Sequence, residues 1–494
     1  MAPTTTSMPA QLTTEMETHA SRLIFDDRWV FKCKKPLDLG FADNRTLEAR
    51  RHACEEEVRL NRRLASDVYR GVVDHRLPDG SVEPTVVMQR LPAERRLTAC
   101  IAEGLDVREA LDNIARQLVC LHQQSAPGPD HDELDSAAAR LRRWNDAADR
   151  LRPLIAGTSL EMVAARADEL AERYLRGREP LFRARIAAGR VRDGHGDLRA
   201  EDIFLLPHGP VILDCLEFDE NLRWGDVLDD IAFLAMDLRA LGRPELAVHL
   251  LDQYRELSGD RWPASLVEMA IAQRAHIRAM IDAVRANQRG DDPAAAAAAK
   301  LALCVEALQA AQVRMVLVGG APGTGKTSLA GRIGEALEAV VISSDRVRTE
   351  VSDALDPDRR YEVGARHAVY EEMRRRAELL LAQGEHVVLD ATWSDPDERA
   401  AARRIGGLGG ATTDELWCIA PVCVAAERIR GRCAHGVGLS EVTPAQAIRM
   451  TEQFEDWPEA DEIHTERPLE DSLRAALHHL GVEHRVPDDS DATI

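Results

Sequence analysis

Lysine is almost missing from this 494-residue sequence. Of its 63 basic residues, five are lysine (Lys32, Lys34, Lys35, Lys300 and Lys326) and 58 are arginine. The bias resembles coding in a G+C-rich genome. It makes the surviving lysines informative, because a compact ammonium and a planar guanidinium are not interchangeable at a phosphate. No two of the nine scattered cysteines form a C-x-x-C pair, which argues against a disulfide framework or a zinc ribbon. No run of 18 apolar residues is present, so no bilayer-spanning helix is expected. The first twenty residues hold no Lys or Arg and no apolar core, so no secretory signal is expected. These absences together suggest a cytoplasmic protein with reduced thiols. Positive charge is also short: 63 basic against 84 acidic residues leaves a formal charge of −21. Such a chain is a poor general binder of nucleic acid or anionic membrane. A local basic pocket for a small phosphorylated ligand remains compatible with it.

What is present is globular in balance, with 45% hydrophobic and 30% charged residues. The length suits roughly three compact units, and no internal repeat is visible. Residues 1–18 are rich in Thr, Ser and Pro and read as a flexible tail. Ser21–Phe25 and Trp29–Lys34 read as strands joined at Asp26-Asp27, and 46–64 as a helix with Glu57, Leu60, Asn61 and Leu64 on one face. Val86–Gln89 reads as a short strand. The pattern from about 96 to 190 is helical, and long helices return between 226 and 288. Asp291-Asp292-Pro293 opens a further helix through six alanines. From about Arg314 the texture becomes strand–loop–helix alternation, the mark of a parallel α/β sheet.

The strand Met315–Val318 runs into Gly320-Ala321-Pro322-Gly323-Thr324-Gly325-Lys326-Thr327, a full G-x-x-x-x-G-K-[ST] phosphate loop, followed by a helix from Ser328. Glycines let successive backbone N–H groups face phosphate oxygens, and the helix N-terminus adds partial positive charge. Gly320, Gly323, Thr324, Gly325, Lys326, Thr327 and Ser328 are therefore the expected nucleotide contacts, with the Thr327 hydroxyl on Mg²⁺. A second strand ends at Ser343-Ser344-Asp345. A carboxylate there faces the γ-phosphate and suits a catalytic base. A third strand ends at Asp390, the expected partner of Thr327 in the metal shell. Ala391 and Thr392 follow it, so the glutamate that activates water in many ATPases is missing. Arg428 and Arg432 lie four apart on one helix face and suit a lid over phosphates. No LSGGQ-type signature of transporter ATPases is present.

A second constellation lies upstream. His195-Gly196-Asp197 is followed by Asp202 and a hairpin ending at Asp214. Phosphoryl transfer needs a base for the acceptor hydroxyl and ligands for Mg²⁺ on the phosphates. Asp197 suits the base, and Asp202 and Asp214 suit the metal. Lys32 would reach the α- and β-phosphates of ATP and Glu57 would pair with it. Lys34, on the same side of the strand, is the fallback.

Residues 314–470 resemble the AAA-type P-loop kinase-like domains, close to zeta toxins, gluconate kinases and polynucleotide 5′-kinases. That resemblance implies that Asp345 and Arg348 contact the acceptor. Residues 18–290 resemble the aminoglycoside phosphotransferase and choline kinase-like family. Its H-G-D-x-x-x-x-N motif is matched except that Asp202 replaces the asparagine, and its second metal aspartate matches Asp214. The whole resembles bacterial bifunctional aminoglycoside phosphotransferase/ATP-binding proteins. The implied architecture is an α+β, protein-kinase-like bilobal domain followed by an α/β P-loop domain with a parallel sheet. Its parts are a tail (1–18), an N-lobe (19–95), a helical C-lobe (96–290), a helical connector (291–313) and the P-loop kinase-like domain (314–494). The N-lobe has no Gly-rich loop; Thr18-His19-Ala20-Ser21 stands in that region.

The expected function is ATP- and Mg²⁺-dependent phosphoryl transfer to small-molecule hydroxyls, such as those of sugars, amino sugars or aminoglycosides. Glu217, Asp219, Glu220 and Asp226 follow the metal hairpin and would attract a cationic acceptor. The other reading is that Asp226 caps the next helix and the rest are solvated. An alternative function is a regulatory protein in which one ATP site senses nucleotide and controls the other domain or a partner. A polynucleotide kinase is disfavoured, since the chain is acidic and shows no basic, aromatic-rich groove.

Overall fold

The computed structural model describes residues 14–17, 20–37, 43–76, 80–126, 128, 133–352, 363–435, 454 and 456–482. They divide into two compact units. One comprises Met1–Asp168, Phe182–Trp262 and Val267–Leu308; the other comprises Glu169–Leu181, Pro263–Leu266 and Gln309–Ile494. Most of the expected tail, 1–13 and 18, lies outside the described residues, as do Thr18 and His19.

The first unit opens with a five-stranded antiparallel sheet. Its strands are β1 (Thr14–Glu17), β2 (Ser21–Phe25), β3 (Trp29–Lys34), β4 (Tyr69–Arg76) and β5 (Val82–Gln89), in the order β1-β2-β3-β5-β4. β1 falls inside the segment expected to be a tail: its residues pair with β2 from Thr14↔Phe25 to Glu17↔Arg22. Helix α1 (Leu47–Ala65), capped by the Thr46 hydroxyl, lays Cys54, Val58 and Ala65 on Val30, Val86 and Met88. The same helix presents Glu57 to the sheet, fully buried.

The chain that follows is mostly helical: α2 (Leu97–Ala102), α3 (Arg108–Gln124), α4 (Ala137–Ile155), α5 (Leu160–Arg176), α6 (Glu179–Ala187), α7 (Val227–Ala240), α8 (Pro244–Ser258), α9 (Ala264–Arg289) and α10 (Pro293–Ala310), with the end of α5, the start of α6, the first residues of α9 and the last of α10 belonging to the second unit. Between α6 and α7 lie the pair β6 (Val191–Asp193) and β9 (Trp224–Asp226), enclosing the hairpin β7 (Ile203–Leu206) and β8 (Gly209–Ile212). Eleven of the fourteen residues of α7 are buried, so its carboxylates Asp229 and Asp230 require partners. Asp229 receives Arg140 at 3.1 Å. Asp226 caps α7 through the Leu228 N–H at 2.9 Å and is clamped by Arg185 at 2.6 Å.

α10, the expected connector, packs Ala297 and Leu301 against Leu151, Ile155, Ala279 and Ala283. It also corrects the expectation about apolar helices. By length and composition it is long and apolar enough to cross a bilayer, although Lys300 and Glu306 interrupt it. Ala297, Leu301, Cys304, Ala307 and Leu308 are buried.

The second unit contains a wholly parallel sheet. Its strands are β10 (Arg314–Gly319), β11 (Val340–Ser343), β12 (Val387–Asp390), β13 (Thr412–Ile419) and β14 (Asp461–His464), in the order β11-β12-β10-β13-β14. The helices are α11 (Lys326–Ala336), α12 (Ser344–Ser352), α13 (Val363–Ala382), α14 (Pro396–Leu408), α15 (Val422–His435) and α16 (Leu469–His479). Leu329, Ala330 and Ile333 of α11 and Leu473, Ala476 and Leu477 of α16 close over Val316, Val318, Val388, Leu416 and Ile463. Parallel pairing sets Val318 and Ser343 both opposite Asp390. The chain from β10 to α11 thus leaves the sheet beside Asp390, at the carboxyl ends of the strands, where open α/β sheets bind ligands.

Candidate active sites

In the first unit, strand alternation puts Lys32 and Lys34 on one side of β3, and α1 brings Glu57 between them. Lys32 Nζ lies 2.8 Å from Glu57 Oε1 and 3.1 Å from Asp214 Oδ1. Lys34 Nζ lies 2.6 Å from Glu57 Oε2 and also pairs with Glu217. The result is a continuous ladder: Asp214, Lys32, Glu57, Lys34, Glu217. Burial opposes the charge on Lys32, but Asp214, Glu57 and Glu217 outweigh it and hold the ammonium well above its ordinary value. The two lysines are not equivalent. Lys32 keeps 13% of its side chain exposed beside Asp214, whereas Lys34 keeps 2%. Lys34 is therefore a buried strut, and Lys32 is the lysine left at the mouth.

Two further ties fix this segment. Asn61 accepts the Cys215 N–H at 2.9 Å and donates to the Glu57 carbonyl, also at 2.9 Å. Arg63 reaches the Gly194 carbonyl at 2.6 Å. The ladder corrects one expectation. Glu217 does not stand free to attract an acceptor, because the buried Lys34 ammonium requires a counter-charge. Asp226 is likewise engaged, in its cap and its clamp.

The H-G-D loop hangs on α7. The Asp230 carboxylate accepts the His195 N–H at 2.6 Å and the Gly196 N–H at 2.9 Å, and lies 3.2 Å from His122 Nε2. Burial opposes its ionisation, yet these hydrogen bonds hold the carboxyl below the ordinary range. A Cβ at Gly194 would stand 2.2 Å from Asp230, so this close approach requires glycine. The His195 ring donates Nε2–H to the Leu213 carbonyl at 3.1 Å. The residue before Asp214 is thereby fastened to the loop that carries Asp197. Asp214 itself adopts φ +64°, a left-handed conformation that aspartate tolerates and that often marks a functional position.

Asp202 and Asp214 meet at the open end of the β7–β8 hairpin, where the Leu213 N–H bonds the Asp202 carbonyl at 3.0 Å. Burial and the charge of Asp214 push the Asp202 carboxyl up to about 7, while Lys32 holds Asp214 low. Burial also raises Asp197, against Arg278 and Arg199. Asp202 Oδ2 is buried without a hydrogen-bond partner.

In the second unit the phosphate loop carries left-handed glycines at Gly320 (φ +144°), Gly323 (φ +87°) and Gly325 (φ +88°). A Cβ at Gly320 would approach the Cys418 carbonyl to 2.5 Å, and one at Gly323 the Ala425 carbonyl to 2.5 Å. The Thr324 hydroxyl donates to the Ala321 carbonyl at 2.8 Å, and the Thr465 hydroxyl donates to the Thr324 carbonyl. Arg428 rests on the Gly323 carbonyl at 3.5 Å and the Thr465 carbonyl at 2.6 Å. It lies beside the loop as expected; the side chain of Arg432 lies outside the described residues. Lys326 is half-buried, and Thr327 and Ser328 are exposed at the start of α11.

Burial raises Asp390, while Lys326 and hydrogen bonds to Thr327 and Ser343 lower it. Its Oδ1 is buried without a hydrogen-bond partner. Asp345 is ion-paired with Arg348 at 2.7 Å. The indole of Trp457 lies so close under β10 that a Cβ at Gly319 would overlap it. Thr465, Asp230, Asn61 and Lys34 were not assigned these roles from sequence. Asn61, one turn after Glu57 on the same face, and Lys34, on the same side of its strand as Lys32, carried local signals.

Each unit thus holds an orphaned carboxylate oxygen beside a second oxygen donor: Asp202 beside Asp214, and Asp390 beside Thr327. These all-oxygen sets fit Mg²⁺, which takes one or two carboxylates and completes its octahedron with phosphate oxygens and water. Among the described residues no three His, Cys, Asp or Glu side chains gather in metal-ligand fashion.

Two family descriptions match the chain: a phosphotransferase enzyme family over residues 40–265 and an AAA domain over 315–457. Uncharacterized proteins of Mycobacterium tuberculosis and Mycobacterium bovis are 40% identical over 472 residues, covering 94% of each chain. Among solved structures, a choline kinase of Streptococcus pneumoniae aligns at 15% identity with a TM-score of 0.39, over 61% of this chain and 94% of that one. An APS kinase of Mycobacterium tuberculosis aligns at 19% identity with a TM-score of 0.28, over 34% and 98%.

Proposed function

We propose that this chain, which belongs to the two-domain family joining a phosphotransferase domain to a C-terminal AAA domain of P-loop kinase type, carries two separate ATP sites that phosphorylate small-molecule hydroxyls. Membership makes it a kinase-type phosphotransferase, and such kinases use ATP and generally Mg²⁺. The proposal concerns the residues and the number of sites. The observation that carries it is the pair of orphaned carboxylate oxygens on Asp202 and Asp390, the first beside Asp214, which Lys32 pairs, and the second beside Lys326.

In the first unit, Lys32 holds the α- and β-phosphates, with Glu57 fixing its direction. Asp197 accepts the proton of the acceptor hydroxyl as the γ-phosphoryl group leaves ATP. Asp202 and Asp214 would hold Mg²⁺. In the second unit, backbone N–H groups between Gly320 and Ser328, together with Lys326, hold the phosphates. Thr327 and Asp390 would hold Mg²⁺, Asp345 takes the acceptor proton, and Arg348 aligns that carboxylate and the acceptor. Bound Mg²⁺ supplies neutralisation of charge on the β- and γ-oxygens. Sugars, amino sugars and aminoglycosides are the acceptor classes to screen first.

The test is calorimetric titration of the full chain with a non-hydrolysable ATP analogue and Mg²⁺. Two equivalents per chain are expected. Lys326→Ala should remove one and Lys32→Ala the other. If Lys326→Ala removes all binding from a folded protein, the first unit binds no nucleotide and the two-site reading fails.

A further inference from the structure

Two carboxylates of α7 hold the H-G-D loop. Asp230 takes its beginning, through the His195 and Gly196 N–H groups. Asp237 stands seven residues further on, two turns along the helix and therefore on the same face. Its Oδ2 accepts the Ala200 N–H at 2.9 Å. Ala200 is fully buried and opens the short turn Ala200–Asp202. The segment carrying Asp197 is thus tied at both ends to one helix, and the second tie lies two residues from a proposed metal ligand.

The other oxygen of Asp237 has its own partner. Lys300 of α10 places Nζ 3.8 Å from Oδ1, with side chains 20% and 19% exposed. Lys300 follows six alanines and is the sole basic residue of α10. It is one of the five lysines of the chain, and neither nucleotide site uses it. A guanidinium fork would compete for both carboxylate oxygens. An ammonium is a point charge and suits the one oxygen that the Ala200 N–H leaves open.

We infer that Asp237 is a positioning residue of the first unit's phosphotransferase site: it grips the turn that presents Asp202, and Lys300 fixes its direction, which makes α10 a working part of that site. The inference rests on the phosphotransferase reading. Asp202 Oδ2 is buried without a hydrogen-bond partner, so the backbone of the turn sets where that oxygen stands. The Asp202 N–H bonds the Arg199 carbonyl at 3.1 Å, a tie internal to the turn. Asp237 is the tie that fastens the turn to a packed helix.

The test uses the full chain carrying Lys326→Ala, so that nucleotide binding reports the first unit alone. One readout is hydrogen exchange across 195–202 in the ligand-free protein. The other is calorimetric titration with a non-hydrolysable ATP analogue, with and without Mg²⁺. Asp237→Leu should speed exchange at Ala200 about 10- to 100-fold, the worth of one hydrogen bond to a charged group. His195 and Gly196, held by Asp230, should keep their rates. Analogue binding without Mg²⁺ should hold, because Lys32 is untouched, and its strengthening by Mg²⁺ should shrink by a similar factor. Lys300→Met should change both readouts about 2- to 5-fold, as suits a partly exposed ion pair, and Lys300→Arg should restore them. Asp237→Asn keeps an acceptor oxygen without the charge and should fall between Asp237→Leu and the parent; it carries the test if the leucine variant does not fold. Parental exchange and Mg²⁺ response in these variants overturn the inference and leave the kinase intact. So does faster exchange throughout 191–226, which would make Asp237 a general support. A Lys326→Ala chain that binds no analogue removes the phosphotransferase reading, and the positioning role falls with it.

Discussion

The two proposed nucleotide sites meet one demand, a cation held against phosphate, by opposite construction. In the second unit the cradle is made of backbone, in eight consecutive residues whose glycines adopt conformations closed to other residues. Its supports, Thr465 and Arg428, reach it through the carbonyl oxygens of Thr324 and Gly323. In the first unit the cradle is made of side chains. Lys32 and Asp214 are 182 positions apart, and Glu57, Lys34 and Glu217 extend the contact into a buried ladder. A backbone cradle tolerates change in the side chains around it. The buried members of the ladder do not, because Glu57 or Lys34 left alone costs about 3–5 kcal/mol; Asp214, about half exposed, is screened by solvent.

The comparison predicts where each site breaks. The largest effect is expected at Asp214, which is both a proposed metal ligand and the end of the ladder. Asp214→Ala should reduce acceptor-dependent turnover by the first unit below detection, measured as ATP consumption in a Lys326→Ala background; normal turnover would remove Asp214 from the site. Next is Asp197→Asn, which removes only the proton acceptor. A fall of about 10²–10⁴-fold in kcat with ATP-analogue affinity unchanged is expected, and retention of full kcat would displace Asp197 as the base.

A smaller effect, opposite in sign for stability and function, is expected at Asp390. Its folded carboxyl is raised by burial, so its contribution to stability is complete below the ordinary carboxylate pKa and is lost as pH rises through the folded value. At neutral pH without Mg²⁺, Asp390→Asn should raise the Tm of the second unit, by about 2–4 °C per kcal/mol relieved. It should weaken Mg²⁺-dependent nucleotide binding at the same time. The gain in Tm should disappear below pH 4, and a gain that persists there would assign it to something other than charge. The smallest effect is expected at Asp202→Asn. An amide oxygen still reaches Mg²⁺, so activity should stay within a few-fold of the parent; loss of activity would mean that the second negative charge is required.

Several elements were readable from local pattern. The strands β2 and β3, helix α1 with Glu57 inward, the β7–β8 hairpin and the β10–α11 loop all carry periodicity or turn residues within a short window. Others were hidden for identifiable reasons. Pro84 masked the first half of β5, because proline usually argues against a strand interior. β13 reads as polar at Asp414 and Glu415. Glu415 is nonetheless buried, because Arg403 and the Trp457 indole satisfy it. β1 is short and borders a Thr-rich segment, and only its pairing with β2 makes it a strand.

The sequence by itself determined the phosphate loop, since glycine conformations and an adjacent helix N-terminus are local properties of eight residues. It also determined which aspartates could serve as base and metal ligands, through their spacing around a hairpin. Only the tertiary structure decided that Lys34 is a buried strut and Lys32 stands at the mouth, that Glu217 belongs to the ladder, and that Asp230 suspends the H-G-D loop. Strand alternation treats Lys32 and Lys34 alike, and an aspartate inside an apolar helix carries no mark of what it will hold. Those roles are fixed by which distant charges packing brings within about 4 Å, where burial makes each unpaired group costly enough to select its partner.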